Sequence, residues 1–474
     1  MMFEATELVA GYRDKTISPV EATLAAFDAI ESCNEDVNAF VMVDVEGALA
    51  AAEASAARWY AGEPLGPGDG VPTSIKDVFL TKGWPTLRGS ALIDAAGPWD
   101  EDSPCVARLR ETGAVLLGKT TSPEYAWKGV TDSLTFGPTG NPWDPAMTAG
   151  GSSGGSAAAV GLGMGPWSVG TDGGGSVRIP AAFTGTVALK PTFGLIPHYP
   201  ASPFGTLAHS GPMTRTVRDT AALLDVITGF DARDWAAMPT PTASFLDGLD
   251  GGVAGLRVGF SPNLGFVRND PDVDAAVRAA VAVLADAGAV VEEVDPGFTD
   301  PVEAFHVLWF SGEAKVLEAF LDDTGELAAL AGRADPGLLR TAQIGASFSA
   351  SDYLDATAVR MQLGQLMGRF HQRYDVLVTP TLPLPAFPVG SDVPDGSPSQ
   401  DWTSWTPYTY PFNMTQQPAL SVPCGFTTAG LPVGLQIVGP RHADALVLRV
   451  GQAYQSATDW HRRTPTLMTQ KEHR

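Results

Sequence analysis

Apolar positions recur at helical spacing soon after the start of the chain. Val20, Leu24, Phe27 and Ile30 follow Ser18-Pro19-Val20-Glu21, a capping box with proline at the first helical position. The pattern predicts a helix with those four residues on its inner face. Alanine-rich residues 45–60 predict a second helix, and the Gly/Pro-rich residues 62–68 a loop. Residues 71–79, VPTSIKDVF, read as a buried strand. Ser103-Pro104 opens a helix with Val106 and Leu109 inward, and residues 114–117 read as a strand. Short apolar runs at 167–170 and 186–190 predict further strands. Residues 197–211 are turn-rich and carry His198 and His209, forming either a pocket border or a plain surface loop.

Beyond a composition shift at 239–252, residues 256–260 and 289–294 read as strands. Between them Asp270-Pro271 caps a helix that faces inward through Val273, Val277, Val281 and Leu284. Such a β-α-β crossover implies parallel strands. Residues 301–370 are helical in pattern, and 376–379 strand-like. Trp402, Trp405, Tyr408, Tyr410 and Phe412 form an aromatic cluster, read either as core or as a pocket wall. Residues 419–424 and 431–438 flank Thr428-Ala429-Gly430, a hairpin signal. A last helix starts near Asp444, with Val447, Val450 and Tyr454 inward. The alternation of strands and helices is that of an α/β fold.

Charge and cysteine content narrow the function. Thirty basic against 53 acidic residues give a net charge of −23 over 474 residues. Nucleic-acid and anionic-membrane surfaces require basic patches, so neither partner is expected. Three scattered cysteines provide no disulfide framework and no metal cluster. The first fifteen residues lack the apolar core of a signal peptide, and no stretch approaches the ~20 apolar residues of a membrane span. The expectation is a cytoplasmic protein.

Candidate chemistry lies in residues 148–180. Gly150-Gly151-Ser152-Ser153-Gly154 fits a G-x-S-x-G nucleophile elbow, a phosphate-cradling loop or an ordinary Gly/Ser loop before a helix. An elbow needs a preceding strand, but Asn141-Pro142-Trp143-Asp144-Pro145 reads as turn. Gly173-Gly174-Gly175-Ser176 follows a strand. Three glycines there can aim successive N–H groups at an oxyanion beside the Ser176 hydroxyl. A serine nucleophile needs a base. None of the seven histidines has a nominating context, whereas Lys76 lies inside an apolar run, where burial lowers a lysine's pKa. A strand-end lysine paired with Asp77 is the alternative.

GVPTSIKDVF, GGSSGGSAAAV and GTDGGGSVRIPA together resemble the amidase signature family. LLGKTTSPEYA, FGPTGNPWDP, ALKPTFGLIP, GPMTRTVRD, YDVLVTPTLP and PFNMTQQPALSVPCGF extend the resemblance along nearly the whole chain. It implies one compact domain over residues 1–474, a large twisted mixed β-sheet surrounded by α-helices. The signature core spans about 70–220, and a helical segment at about 300–370 covers the substrate. It implies a Ser-cisSer-Lys set: Ser176 as nucleophile, Ser152 as bridge and Lys76 as base. The N–H groups of Gly173, Gly174 and Gly175 form the oxyanion hole, with Ser153, Asp172 and Arg178 in support. Many relatives carry a side chain at the Gly173 position, so either a looser hole or open space beside it is expected. The implied activity is hydrolysis of a small linear amide, or of an anilide, carbamate, ester or hydrazide. No metal or organic cofactor is implied, and the protein would be a monomer or homodimer. Three rivals are a glutamine-hydrolysing amidotransferase subunit, in which a polar residue usually replaces Ile179, an α/β-hydrolase-type esterase using Ser152 and a histidine, and a binding protein that keeps the fold without turnover, against which the presence of Lys76, Ser152 and Ser176 speaks.

Overall fold

In the computed structural model, which describes residues 2–468 apart from 322, 324, 398 and 466, eleven strands form one mixed sheet. The strands are β1 (Phe40–Val43), β2 (Pro72–Lys76), β3 (Val115–Thr120), β4 (Trp167–Asp172), β5 (Val187–Lys190) and β6 (His209–Thr214), followed by β7 (Arg257–Phe260), β8 (Val290–Glu293), β9 (Val376–Pro380), β10 (Ala419–Phe426) and β11 (Pro432–Val438). Their order across the sheet is β1-β3-β2-β4-β6-β5-β10-β11-β9-β7-β8.

β2 lies between β3 and β4 and is parallel to both. Every residue of β2 is buried, as expected of a strand covered on both faces. β7 pairs in parallel with β8 through the expected crossover helix, Pro271–Asp286, and β10 with β11 is the expected antiparallel hairpin. Helices cover both faces of the sheet, so apolar positions of nearly every strand enter one of its two largest cores. No helix among the described residues is long and apolar enough to cross a membrane.

The first long helix, Pro19–Val37, has the capping box and Pro19 at its start. Its inner face differs from the expected one. Leu24 is 45% exposed, and the seam consists of Ala22, Ala26, Ile30 and Cys33. Small residues there allow close approach to the alanine-rich helix Val45–Ala61, so bulkier Leu24 turns to solvent while Val20 and Phe27 pack half-buried at the edge of the contact. A helix at Ala5–Asp14 and strand β1 were not expected, and β6 occupies the end of the stretch read as turn. Residues 301–370 fold into helices Val302–Glu318, Pro336–Gly345 and Ala350–Phe370.

Candidate active site

β2 and β4 run side by side in the same direction, so both deliver their C-terminal ends to one edge of the sheet. Ligands of open α/β sheets bind at such edges. β2 ends on Lys76, and β4 ends on Asp172 and continues directly into Gly173-Gly174-Gly175-Ser176. Ser152 arrives from a different loop, just before helix Gly154–Gly161, and its peptide bond to Gly151 is cis. The Ser153 N–H donates to the Ser176 carbonyl at 3.1 Å, which ties the two serine loops together. Ser152 and Ser176 line the same cavity.

The Lys76 ammonium position is fully buried and faces three hydroxyls. Nζ lies 2.7 Å from Ser152 Oγ, 2.9 Å from Ser153 Oγ and 2.9 Å from Thr171 Oγ1. Among the described residues no carboxylate pairs with it, and Asp77 is directed instead to Lys119 Nζ at 3.5 Å. The strand-end ion pair is thereby excluded. Burial pushes the Lys76 pKa well below the usual lysine range, against a smaller upward pull from Asp172. A neutral amine has two N–H bonds and one lone pair, which matches three hydroxyl neighbours if one of them donates. Ser153 gives its own proton to the Thr171 carbonyl at 3.2 Å, so it accepts from Lys76. Ser152, at the shortest distance, lies in position to donate into the lone pair.

Asp172 and Arg178 form a wholly buried, bidentate pair. Arg178 Nε donates to Oδ2 at 2.9 Å and Nη2 donates to Oδ1 at 3.0 Å. Arg178 also reaches Gln436, Asn413 and the Thr409 carbonyl, and Asn413 donates to the Asp172 carboxylate. Burial raises the Asp172 pKa, but the Arg178 guanidinium and its hydrogen bonds more than offset this, leaving it well below the usual carboxylate range. The charged pair fixes the glycine loop, since Gly175 N–H donates to Oδ1 at 2.8 Å and Val177 N–H to Oδ2 at 3.3 Å.

Two expectations about the glycines change here. The Gly175 N–H is occupied by Asp172, so it is not available as an oxyanion donor. Among the described residues, the Gly173 and Gly174 N–H groups have no hydrogen-bond acceptor, and both remain available. Nor is there open space beside Gly173. A Cβ built there would lie 2.6 Å from Trp309 Cζ3. The missing side chain makes room for an indole contributed by helix Val302–Glu318. Trp309 stacks on Phe204 with centroids 3.9 Å apart and donates from Nε1 to the Trp127 carbonyl at 3.0 Å.

The cavity has a volume of about 290 Å³ and is mainly apolar, bounded by Phe79, Tyr125, Phe204, Trp309, Val316 and Phe320. Three of these six come from the helical segment after residue 300. The aromatic cluster at 402–412 is core: Trp402, Trp405, Tyr408, Tyr410 and Phe412 are all buried and lie outside the cavity wall. The stretch after β5 borders the cavity, with His198 on its wall. Burial pushes the His198 pKa down to about 4, and its Nδ1 lies 3.2 Å from Ser210 Oγ rather than near a candidate nucleophile. His209 is buried between Lys190 and the Leu207 carbonyl. Ser152 thus has a lysine partner, and the serine–histidine esterase reading has no geometric support. Thr171, Asn413 and Gln436 were not singled out from the sequence. Asn413 lies inside the quoted PFNMT motif, but its role depends on contacts more than 200 residues away along the chain.

The sequence model of the Amidase family matches residues 21–448. An acylamidase of Rhodococcus erythropolis is 38% identical over 467 residues, spanning 97% of this chain and 96% of the relative. The glutamyl-tRNA(Gln) amidotransferase A subunit of Myxococcus xanthus is 39% identical over 487 residues, spanning 98% and 99%. Among solved structures, a bacterial aryl acylamidase of the amidase signature family superposes with a TM-score of 0.91 at 32% identity, covering 100% of this chain and 99% of that one.

Proposed function

Because the chain belongs to the amidase signature family of amide-hydrolysing enzymes, we propose that it cleaves the C–N bond of a small linear amide through an acyl-enzyme on Ser176. The observation that carries this reading is the buried Lys76 amine, with no counter-ion, 2.7 Å from Ser152 Oγ. Neutral Lys76 takes the Ser152 proton while Ser152 takes that of Ser176. Ser176 Oγ forms a bond to the amide carbon, and the carbonyl oxygen becomes an oxyanion facing the Gly173 and Gly174 N–H groups. Collapse breaks the C–N bond, and the proton on Lys76 returns through Ser152 to the leaving nitrogen. Water then attacks the acyl carbon, gives its proton to the same relay, and releases a carboxylic acid and regenerated Ser176. Asp172 and Arg178 hold the loop that presents the N–H donors.

The apolar cavity supports an alkyl or aryl amide as substrate. The test is release of 4-nitroaniline from acyl-4-nitroanilides by the wild-type protein and by Ser176→Ala. Turnover by the first and none by the second is expected; turnover that survives Ser176→Ala overturns the reading.

The 39% identity to an amidotransferase chain favours a second reading, glutamine hydrolysis within a larger assembly. It relies on the same Ser176 chemistry. However, none of the described residues lining the cavity is a carboxylate that would meet glutamine's ammonium group. Ammonia release from glutamine, without matching turnover of any anilide, would establish it in place of the first.

A further inference from the structure

Arg88 lies on the wall of the Ser176 cavity, half-buried. Among the described residues its guanidinium has no hydrogen bond and no ion pair. The cavity's second cation, Lys315, is already paired with Glu318 at 2.7 Å. Among the described residues no carboxylate lines the cavity, although the protein as a whole carries a net charge of −23. An uncompensated arginine over apolar walls is costly to hold and attracts an anion strongly, because its planar fork matches a carboxylate.

The backbone gives an independent sign. Arg88 has φ +52° and Tyr125 φ +50°, a conformation uncommon outside glycine. Strain of this kind concentrates at ligand clamps. The two strained residues are joined, since the Tyr125 N–H donates to the Arg88 carbonyl at 2.8 Å. The neighbouring Leu87 N–H donates to Asp77 Oδ1 at 3.3 Å, which ties the Arg88 loop to the end of β2, one residue from Lys76. The Arg88 backbone is therefore tied to the strand end that carries Lys76, and its side chain reaches the cavity wall from there.

We propose that Arg88 is a specificity-determining residue that binds a carboxylate carried by the amide substrate, in its acyl or its amine portion. The inference rests on the reading of Ser176 as nucleophile and adds the substrate's charge class to it. Arg88 acts in binding and leaves the bond-breaking steps unchanged.

The experiment uses matched pairs of amides. One series compares the mono-4-nitroanilides of succinic, glutaric and adipic acid with neutral acyl-4-nitroanilides of equal length. The other compares an N-acyl-4-aminobenzoate with the corresponding N-acylaniline. In at least one series the charged member is expected to have a kcat/KM about tenfold or more above its neutral partner, the scale of a charge-assisted hydrogen bond. Arg88→Met keeps the aliphatic stem and should bring that ratio close to one. Arg88→Glu should invert it in favour of an ammonium-terminated anilide, which a merely structural residue would not do. Neutral members preferred in both series, or equal losses for both members in Arg88→Met, would overturn the proposal. If the wild type cleaves no anilide, the hydrolytic reading fails by itself. Calorimetric titration of wild type and Arg88→Met with the glutaric monoanilide then decides the subsite: binding lost in the variant upholds it, and equal or absent binding refutes it.

Discussion

Replacing Lys76 with methionine should make the protein more stable at pH 7 while abolishing its activity. An unfolded lysine titrates near 10.5, whereas burial pushes the folded Lys76 pKa well below that, and the proposed relay requires the amine to be neutral at pH 7. Removing the proton at pH 7 costs about 1.36 kcal/mol for each of 3.5 pH units, roughly 4.8 kcal/mol. Methionine has no such cost and a similar volume. It does strip a partner from Ser152, Ser153 and Thr171, at about 1 kcal/mol each. The variant is thus expected to gain about 2 kcal/mol at pH 7. The sign follows from linkage. A group whose folded pKa is depressed contributes its full stability above the unfolded value of about 10.5 and loses it as pH falls toward the folded one. At pH 9 the deprotonation cost is only about 2 kcal/mol, so the variant should be about 1 kcal/mol less stable than wild type. A chain of this length has an unfolding entropy near 1 kcal/mol/K, so Tm should shift by about +2 °C at pH 7 and −1 °C at pH 9. Differential scanning calorimetry of both proteins at pH 7, 8 and 9 measures this. A Tm gap that does not change with pH would mean that Lys76 is charged in the fold, and the base assignment would be wrong.

Three further outcomes follow from the geometry. Ser152→Ala should lower kcat by about 10²–10⁴, the range of a lost proton-transfer group, whereas Ser153→Ala, which removes only a lysine acceptor, should cost about tenfold; stopped assays on one anilide compare them, and equal losses would contradict the proton count. Gly173→Val should force Trp309 off its stack with Phe204 and destabilise by about 1–3 kcal/mol, read as a lower Tm and a shift in tryptophan fluorescence. Arg178→Met leaves the Asp172 carboxylate buried and unpaired, at a cost of about 3–5 kcal/mol near neutrality. Since the Asp172 pKa is depressed by its partners, that stability is present above the ordinary value of 3.8 and lost as pH falls below it, so the gap between variant and wild type should narrow in acid.

Lys76, Ser152 and Ser176 were legible because each lies in a short motif whose local chemistry is unusual: a lysine in an apolar strand, and serines framed by glycines. The parallel pairing that brings β2 and β4 to one edge could not be read from either motif alone. Of the face expected for helix Pro19–Val37 only Leu24 was misplaced, because the pattern ranks residues by hydrophobicity, while helix–helix contact selected small ones. Neither the space beside Gly173 nor the choice between core and wall at 402–412 could be read locally, for a common reason. Both depend on which aromatic ring the segment after residue 300 inserts, and Trp309 lies 136 positions from Gly173 in a helix with no local mark of function. The hydrogen bond that occupies the Gly175 N–H was equally invisible, because it requires the Asp172 side chain to fold back over its own loop. Arg88 lies between motifs and is conspicuous only by its free charge and positive φ.

Covalent trapping tests the central claim most directly. The protein is treated with a fluorophosphonate and the adduct is mapped by peptide mass spectrometry, in wild type, Lys76→Met and Ser152→Ala. The account predicts one adduct on Ser176, formed quickly in wild type and slowly or not at all in both variants. An adduct on Ser152, or one on Ser176 that forms at the same rate without Lys76, would contradict it.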